Sequence, residues 1–222
     1  MIMEGTPIWV IDFEGSTRTG IVEYGVVELI LNKGIFKTMT HFCRSKQSIP
    51  LKDVQCHGIS TEMTLREPPF MHEIPTFIQA RQNGFFCAHN SIFENTMLSS
   101  YCPLPPCKYQ LQDAPATVGW GPWLDTYYLY KHTVVRGQDY RLSSLIRAFN
   151  LESDLMALAE RFCPKNRRRY HCALFDALAS ALLLLLFVRK HPHVTFVELL
   201  LQSASSIDNN EQCNQRYLNL NI

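Results

Sequence analysis

Apolar positions change period along this chain, and the changes predict a mixed α/β order. Ile8-Trp9-Val10-Ile11 is an apolar run that reads as a strand over residues 8–12. Gly20 to Ile30 reads as a second strand and Phe36 to Phe42 as a third, with a hairpin turn signal at Asn32-Lys33-Gly34 between them. Residues 43–70 read as loops with short helices. A helix follows over about 73–82, with Glu73, Ile74, Phe77 and Ile78 on one face, then a short buried strand at Phe85-Phe86-Cys87-Ala88. Residues 91–101 make a helix that stops at Cys102-Pro103, because the residue before a proline is driven out of helical geometry. Trp123-Leu124-Asp125-Thr126 is a strand end or a helix start, and Arg141 to Phe149 is an amphipathic helix. Ala177 to Val188 is apolar except for Ser180, the pattern of a helix buried on all sides. Strands first, then helices alternating with strands, predict an α/β sheet with antiparallel opening strands followed by parallel ones.

At 222 residues the chain fits one domain with a full core. We place that domain over residues 1–200. From Gln202 onward Ser, Asn and Gln dominate, so residues 201–222 read as a polar tail. The prolines at 103, 105, 106, 115 and 122 make 102–123 an irregular excursion, in which Trp120 and Trp123 are expected to cover the core rather than stack on a base. The apolar run at 177–188 is shorter than the roughly 20 residues that a membrane span needs, so no membrane is expected. Eight cysteines include no Cys-x-x-Cys pair, and no apolar stretch precedes Trp9 as a signal peptide would; reduced thiols in a cytoplasm are the expectation.

Two carboxylates follow the first strand: Asp12 and Glu14. With a side-chain period of two they share a face, roughly 6–7 Å apart, where they repel. A divalent cation would remove the repulsion; a strand that ends in two solvated acids is the plainer account. Glu94 falls in the first turn of the helix after Ala88-His89-Asn90-Ser91, where the helix dipole favours an anion and Asn90 or Ser91 is placed to cap. Asp176 is harder to explain as structure, since the residues that follow it carry no charge until Arg189. A carboxylate there costs several kcal/mol unless it is paired or metal-bound. His171 lies just before it, with an imidazole suited to taking a proton from water at neutral pH.

The order Asp-x-Glu, His-Asn-x-x-Phe-acid, His-x-x-x-x-Asp resembles the DEDDh-type 3′→5′ exonucleases of the ribonuclease H-like superfamily. Cys56-His57-Gly58-Ile59-Ser60, Leu124-Asp125-Thr126 and Arg141-Leu142-Ser143-Ser144-Leu145 are similar to secondary landmarks of that family, and together the likeness spans residues 8 to about 188. Cys172 stands where the tyrosine subtype has its tyrosine, so the histidine subtype fits. The resemblance implies two Mg²⁺ or Mn²⁺ ions held by Asp12, Glu14, Glu94 and Asp176, with His171 as general base. It implies a nucleic-acid 3′ end, DNA or RNA, as substrate, and contacts to it from Phe13, Gly15, His57 and Asn90. It leaves room for a homodimer. Glu94 departs from the aspartate usual in the family; the extra methylene moves the carboxylate by about 1 Å, which tilts metal choice toward manganese or lowers activity. The competing reading is a catalytically weakened 3′-end-binding module of the same fold.

Net charge is only +1, but residues 131–170 hold nine Lys/Arg against four Asp/Glu. The steepest part, Arg167-Arg168-Arg169, abuts His171, and its expected role is to hold upstream phosphates.

Overall fold

The computed structural model describes residues 5–106, 119–133 and 139–204. Five strands form one sheet: β1 (Ile8–Ser16), β2 (Gly20–Ile30), β3 (Gly34–Phe42), β4 (Phe85–Ala88) and β5 (Trp123–Asp125), in the order β3-β2-β1-β4-β5. The first three pair antiparallel, and β4 and β5 run parallel to β1, as the alternation of elements predicts. The helices are α1 (Leu51–His57), α2 (Thr61–Thr64), α3 (Ile74–Asn83), α4 (Ile92–Ser99), α5 (Thr126–Thr133), α6 (Leu142–Ala148), α7 (Glu152–Phe162), α8 (Ala173–Lys190) and α9 (Phe196–Ser203). None of them is long and apolar enough to cross a membrane.

Strand alternation divides the core in two. Ile8, Val10, Val27 and Leu29 face α8 together with residues from α5, α6, α7 and α9. Trp9, Ile11, Phe13, Tyr24 and Val26 face the other way, onto Phe77 of α3 and Met97 and Leu98 of α4. Trp120 is fully buried in this second layer, stacked near Phe86 with its ring N–H donated to the Cys102 carbonyl, which is the core role expected of it.

α8 is the central helix and packs across β1 and β2. Gly25 makes that approach feasible: a Cβ there would lie 2.2 Å from the backbone of Ala173 and Leu174. A Thr195/Glu198 capping box starts α9, whose Phe196, Leu199 and Leu200 join the core beside α5 and β5. Most of the Pro/Trp excursion, 107–118, and the tail from 205 lie outside the described residues.

Candidate active site

β1 is longer than its apolar run suggests and carries both Asp12 and Glu14 within the strand. Asp12 pairs with Gly25 and Glu14 with Glu23 across the antiparallel ladder, so all four lie on the face that receives α8. Because Gly25 has no side chain, the start of α8 settles beside Asp12, and Asp176 in the helix's first turn comes with it.

Glu94 arrives from the other side of β1. β4 pairs with β1 only as far as Val10, and the chain then turns into α4. Beyond that pairing the Glu94 carboxyl comes near the Phe13 backbone, whose amide opposes the rise that burial imposes on it. The expected caps do not form: neither Asn90 nor Ser91 caps α4 with its own side chain. Asp125, at the end of β5, does the work. Its carboxylate accepts the backbone N–H of Asn90 (3.0 Å) and Ser91 (2.7 Å) and the Ser91 hydroxyl (2.8 Å), which fixes the turn that aims Glu94 inward. Asn90 takes a left-handed φ of 68° in this turn, a conformation asparagine tolerates better than most residues.

The four acids behave as one electrostatic group. Loss of hydration raises Asp12 well above the usual carboxylate range, although it keeps part of its surface in solvent. The charges of Asp176, Glu14, Glu94 and Glu23 add to the rise in that order. Glu14 is pushed up to about 8, chiefly by burial and then by Asp176 and Glu23, against the opposing fields of Arg167 and Arg169. Burial lifts Asp176 to about 7 even though it accepts the His171 backbone N–H at 2.9 Å. Glu94 is likewise raised well above its ordinary range by burial. Asp176 Oδ1 and Glu94 Oε2 are buried with no hydrogen-bond partner among the described residues. Hard oxygens that are dehydrated, mutually repelling and unpartnered are what a divalent cation satisfies, so the donor set fits Mg²⁺ or Mn²⁺.

His171 stands at the rim. It is exposed, holds a left-handed φ of 59° just before α8, and offers a ring nitrogen to a trio with Glu14 and Asp176 whose ligand atoms all lie within 4.8 Å of one another. Asp12 and Glu94 are tied to this trio through their mutual fields.

The substrate contacts expected from sequence are placed unequally. Phe13 points away from the acids, buried against Phe70 and Phe77, so only its backbone borders the site. Gly15 holds a φ of 130° at a register shift, where a Cβ would meet the Gly20 carbonyl oxygen at 2.1 Å; only glycine fits that turn. His57 is buried, with Nδ1 accepting the Ile59 N–H. Asn90 is exposed beside Glu94.

The arginine run needs correction. Arg167 was expected to face phosphate; it is instead buried and forked onto Glu23. Arg168 turns back onto α7, donating to the Glu160 (3.0 Å) and Cys163 (3.3 Å) carbonyls. Arg169 alone is exposed, lying over Gly58 and within the field of Glu14 and Asp176. Two contributors, Gly25 and Glu23, escaped sequence reasoning, and Asp125 was singled out as a landmark without its role in fixing the turn before Glu94. Only Asp125 carried a local signal, a carboxylate closing an apolar strand.

Neither a family model nor a curated protein matches the chain. Solved structures do, and the likeness is one of fold: the chain shares the ribonuclease H-like arrangement of several exonucleases. Exonuclease X, solved in complex with 5′-overhanging duplex DNA, is similar at 22% identity over 89% of this chain and 99% of that one, with a TM-score of 0.66. The nuclease domain of 3′hExo, a DEDDh family member bound to rAMP, is similar at 16% identity over 89% and 96%, with a TM-score of 0.62. E. coli Exonuclease I in complex with a dT13 oligonucleotide gives 12% identity over 84% of this chain and 42% of its own, with a TM-score of 0.60.

Proposed function

We propose that the chain is a metal-dependent 3′→5′ exonuclease that removes nucleoside 5′-monophosphates from the 3′ end of DNA or RNA. One observation carries the reading: Glu14, His171 and Asp176 bring ligand atoms within 4.8 Å of one another, and Asp12 and Glu94, from β1 and α4, lie in the field of the same acids. The fold supports it, and the similar proteins include ones solved with DNA and with a nucleotide.

Asp12, Glu14 and Asp176 would hold one divalent ion, and Asp12 with Glu94 the other. Such ions supply charge neutralisation and Lewis acidity to a phosphodiester. The protein's own part is to hold four acids whose charges would repel one another and a phosphate alike, an arrangement in which full ionisation favours bound cations. His171 accepts a proton from the attacking water at its exposed ring nitrogen. The water oxygen bonds to phosphorus as the bond from phosphorus to the 3′ oxygen breaks, and that oxygen leaves with the bonding pair and takes a proton from solvent to become the new 3′ hydroxyl, while His171 returns its proton to solvent. Arg169, the exposed member of the basic run, attracts the strand's phosphates. Asn90 and the backbone at Phe13 and Gly15 border the position of the terminal nucleotide.

A digestion panel tests the reading: 5′-labelled single- and double-stranded DNA and RNA, each with Mg²⁺ or Mn²⁺, wild type beside Asp12→Ala. Stepwise shortening from the 3′ end, with release of 5′-monophosphates by wild type alone, is the expected result. Binding of the strands without shortening under either metal would replace the exonuclease with a 3′-end-binding module.

A further inference from the structure

Glu23 faces Glu14 across the β1–β2 ladder, yet its carboxylate is turned to a different task. Oε1 accepts Arg167 Nε at 2.9 Å, and Oε2 accepts both Arg167 Nη2 and, at 3.0 Å, the backbone N–H of Ala173. Both residues are almost fully buried, at 3% and 6% exposure, and Phe42 covers the guanidinium with its ring centroid 5.4 Å away. The remaining arm of the fork, Arg167 Nη1, donates to the His57 carbonyl at 2.6 Å.

Arg167 and Ala173 are the two ends of the loop 168–172, and that loop carries His171. One carboxylate therefore pins both feet of the loop to β2. The second pin is also the first residue of α8, whose first turn holds Asp176, and Asp176 in turn accepts the His171 N–H. The loop between the pins contains a non-glycine residue in left-handed geometry, which persists only when its surroundings dictate it. We propose that Glu23 and Arg167 are positioning residues that set where His171 and Asp176 stand relative to Glu14. Neither touches the reacting atoms. Their effect passes through the loop ends, and the His57 carbonyl brings the 56–59 turn into the same frame.

A buried ion pair replaced by apolar residues of similar volume often leaves stability unchanged or raised, so folding and positioning separate in the double variant Glu23→Met/Arg167→Met. Both charges leave together, so the net charge near the acids is conserved. We expect its melting temperature to stay near that of wild type while kcat falls by about 10–100-fold, the usual loss when the groups that orient metal or catalytic ligands are removed. KM should change little, and Mn²⁺ affinity by calorimetry should fall about tenfold. A purely structural pair predicts preserved kcat and preserved Mn²⁺ affinity whenever the melting temperature is preserved, and that result overturns the proposal. Arg167→Lys keeps the charge without the fork and serves if the double variant fails to fold; wild-type kcat and Mn²⁺ affinity in it would equally overturn the proposal. The rate readout rests on the exonuclease reading above. Should wild type cleave nothing, that reading fails, while the ratio of Mn²⁺ affinities still decides the role of the pair.

Discussion

Replacing Asp176 by Asn should stabilise the metal-free protein, and by more at mildly alkaline than at mildly acid pH. Asp176 rises from an ordinary 3.8 to about 7 in the fold because its carboxylate is stripped of water. A carboxyl whose folded value lies above its unfolded one costs nothing while both states are protonated; the cost then grows with pH until the folded value is reached. Between about pH 5 and about pH 8 the cost of Asp176 therefore grows by about 3 kcal/mol, at about 1.4 kcal/mol for each pH unit up to the folded value. Asn is nearly the same shape, cannot ionise, and can still accept the His171 N–H. Its amide has its own desolvation cost, but that cost does not vary with pH and cancels in the comparison. Removing the charge also relieves Glu14, whose rise to about 8 owes its second-largest part to Asp176, so the coupled group adds to the same sign. The assay is thermal unfolding in chelator at both pH values, wild type against Asp176→Asn. For a chain of this length the variant's advantage should be about 6–12 °C larger at the higher pH. Equal shifts at the two pH values, or an Asn variant that loses ground as pH rises, would refute the claim that the site stores repulsion for a cation to relieve.

His171→Ala should lower kcat by about 10²–10⁴ with the fold intact, read by single-turnover cleavage of a labelled strand. Glu94→Asp should preserve or raise the rate with Mg²⁺ relative to Mn²⁺; a total loss with both would show a site rebuilt around the longer side chain. Arg169→Gln should raise KM and reduce the slope of log affinity against log salt by about 1, one phosphate contact's worth. The same change at Arg168, whose guanidinium caps α7, should leave that slope where it was.

The sequence announces the acids and conceals what arranges them. Asp12, Glu14 and Asp176 were legible because a charge beside an apolar run is costly, and that cost is local. The strand order was legible for a similar reason: period two and period 3.6 are properties of short segments, and the antiparallel opening and parallel continuation follow from their alternation. α7 and α9 were missed, α9 because its polar neighbours masked a capping box. The arginine run was misjudged because three adjacent cations look alike in a string. Only tertiary pairing distinguishes Arg167, which meets a carboxylate 144 positions away, from Arg169, which meets solvent. Gly25 and Glu23 are invisible for the same reason. Each lies inside an ordinary strand, and each acquires its meaning from the one helix start that crosses it: Gly25 by leaving room for the Ala173 backbone, Glu23 by accepting that residue's N–H. The donors of such a site can be read one at a time. Its geometry is a property of pairs, and here both pairs join β2, a strand that contributes no donor of its own, to the loop and helix that do.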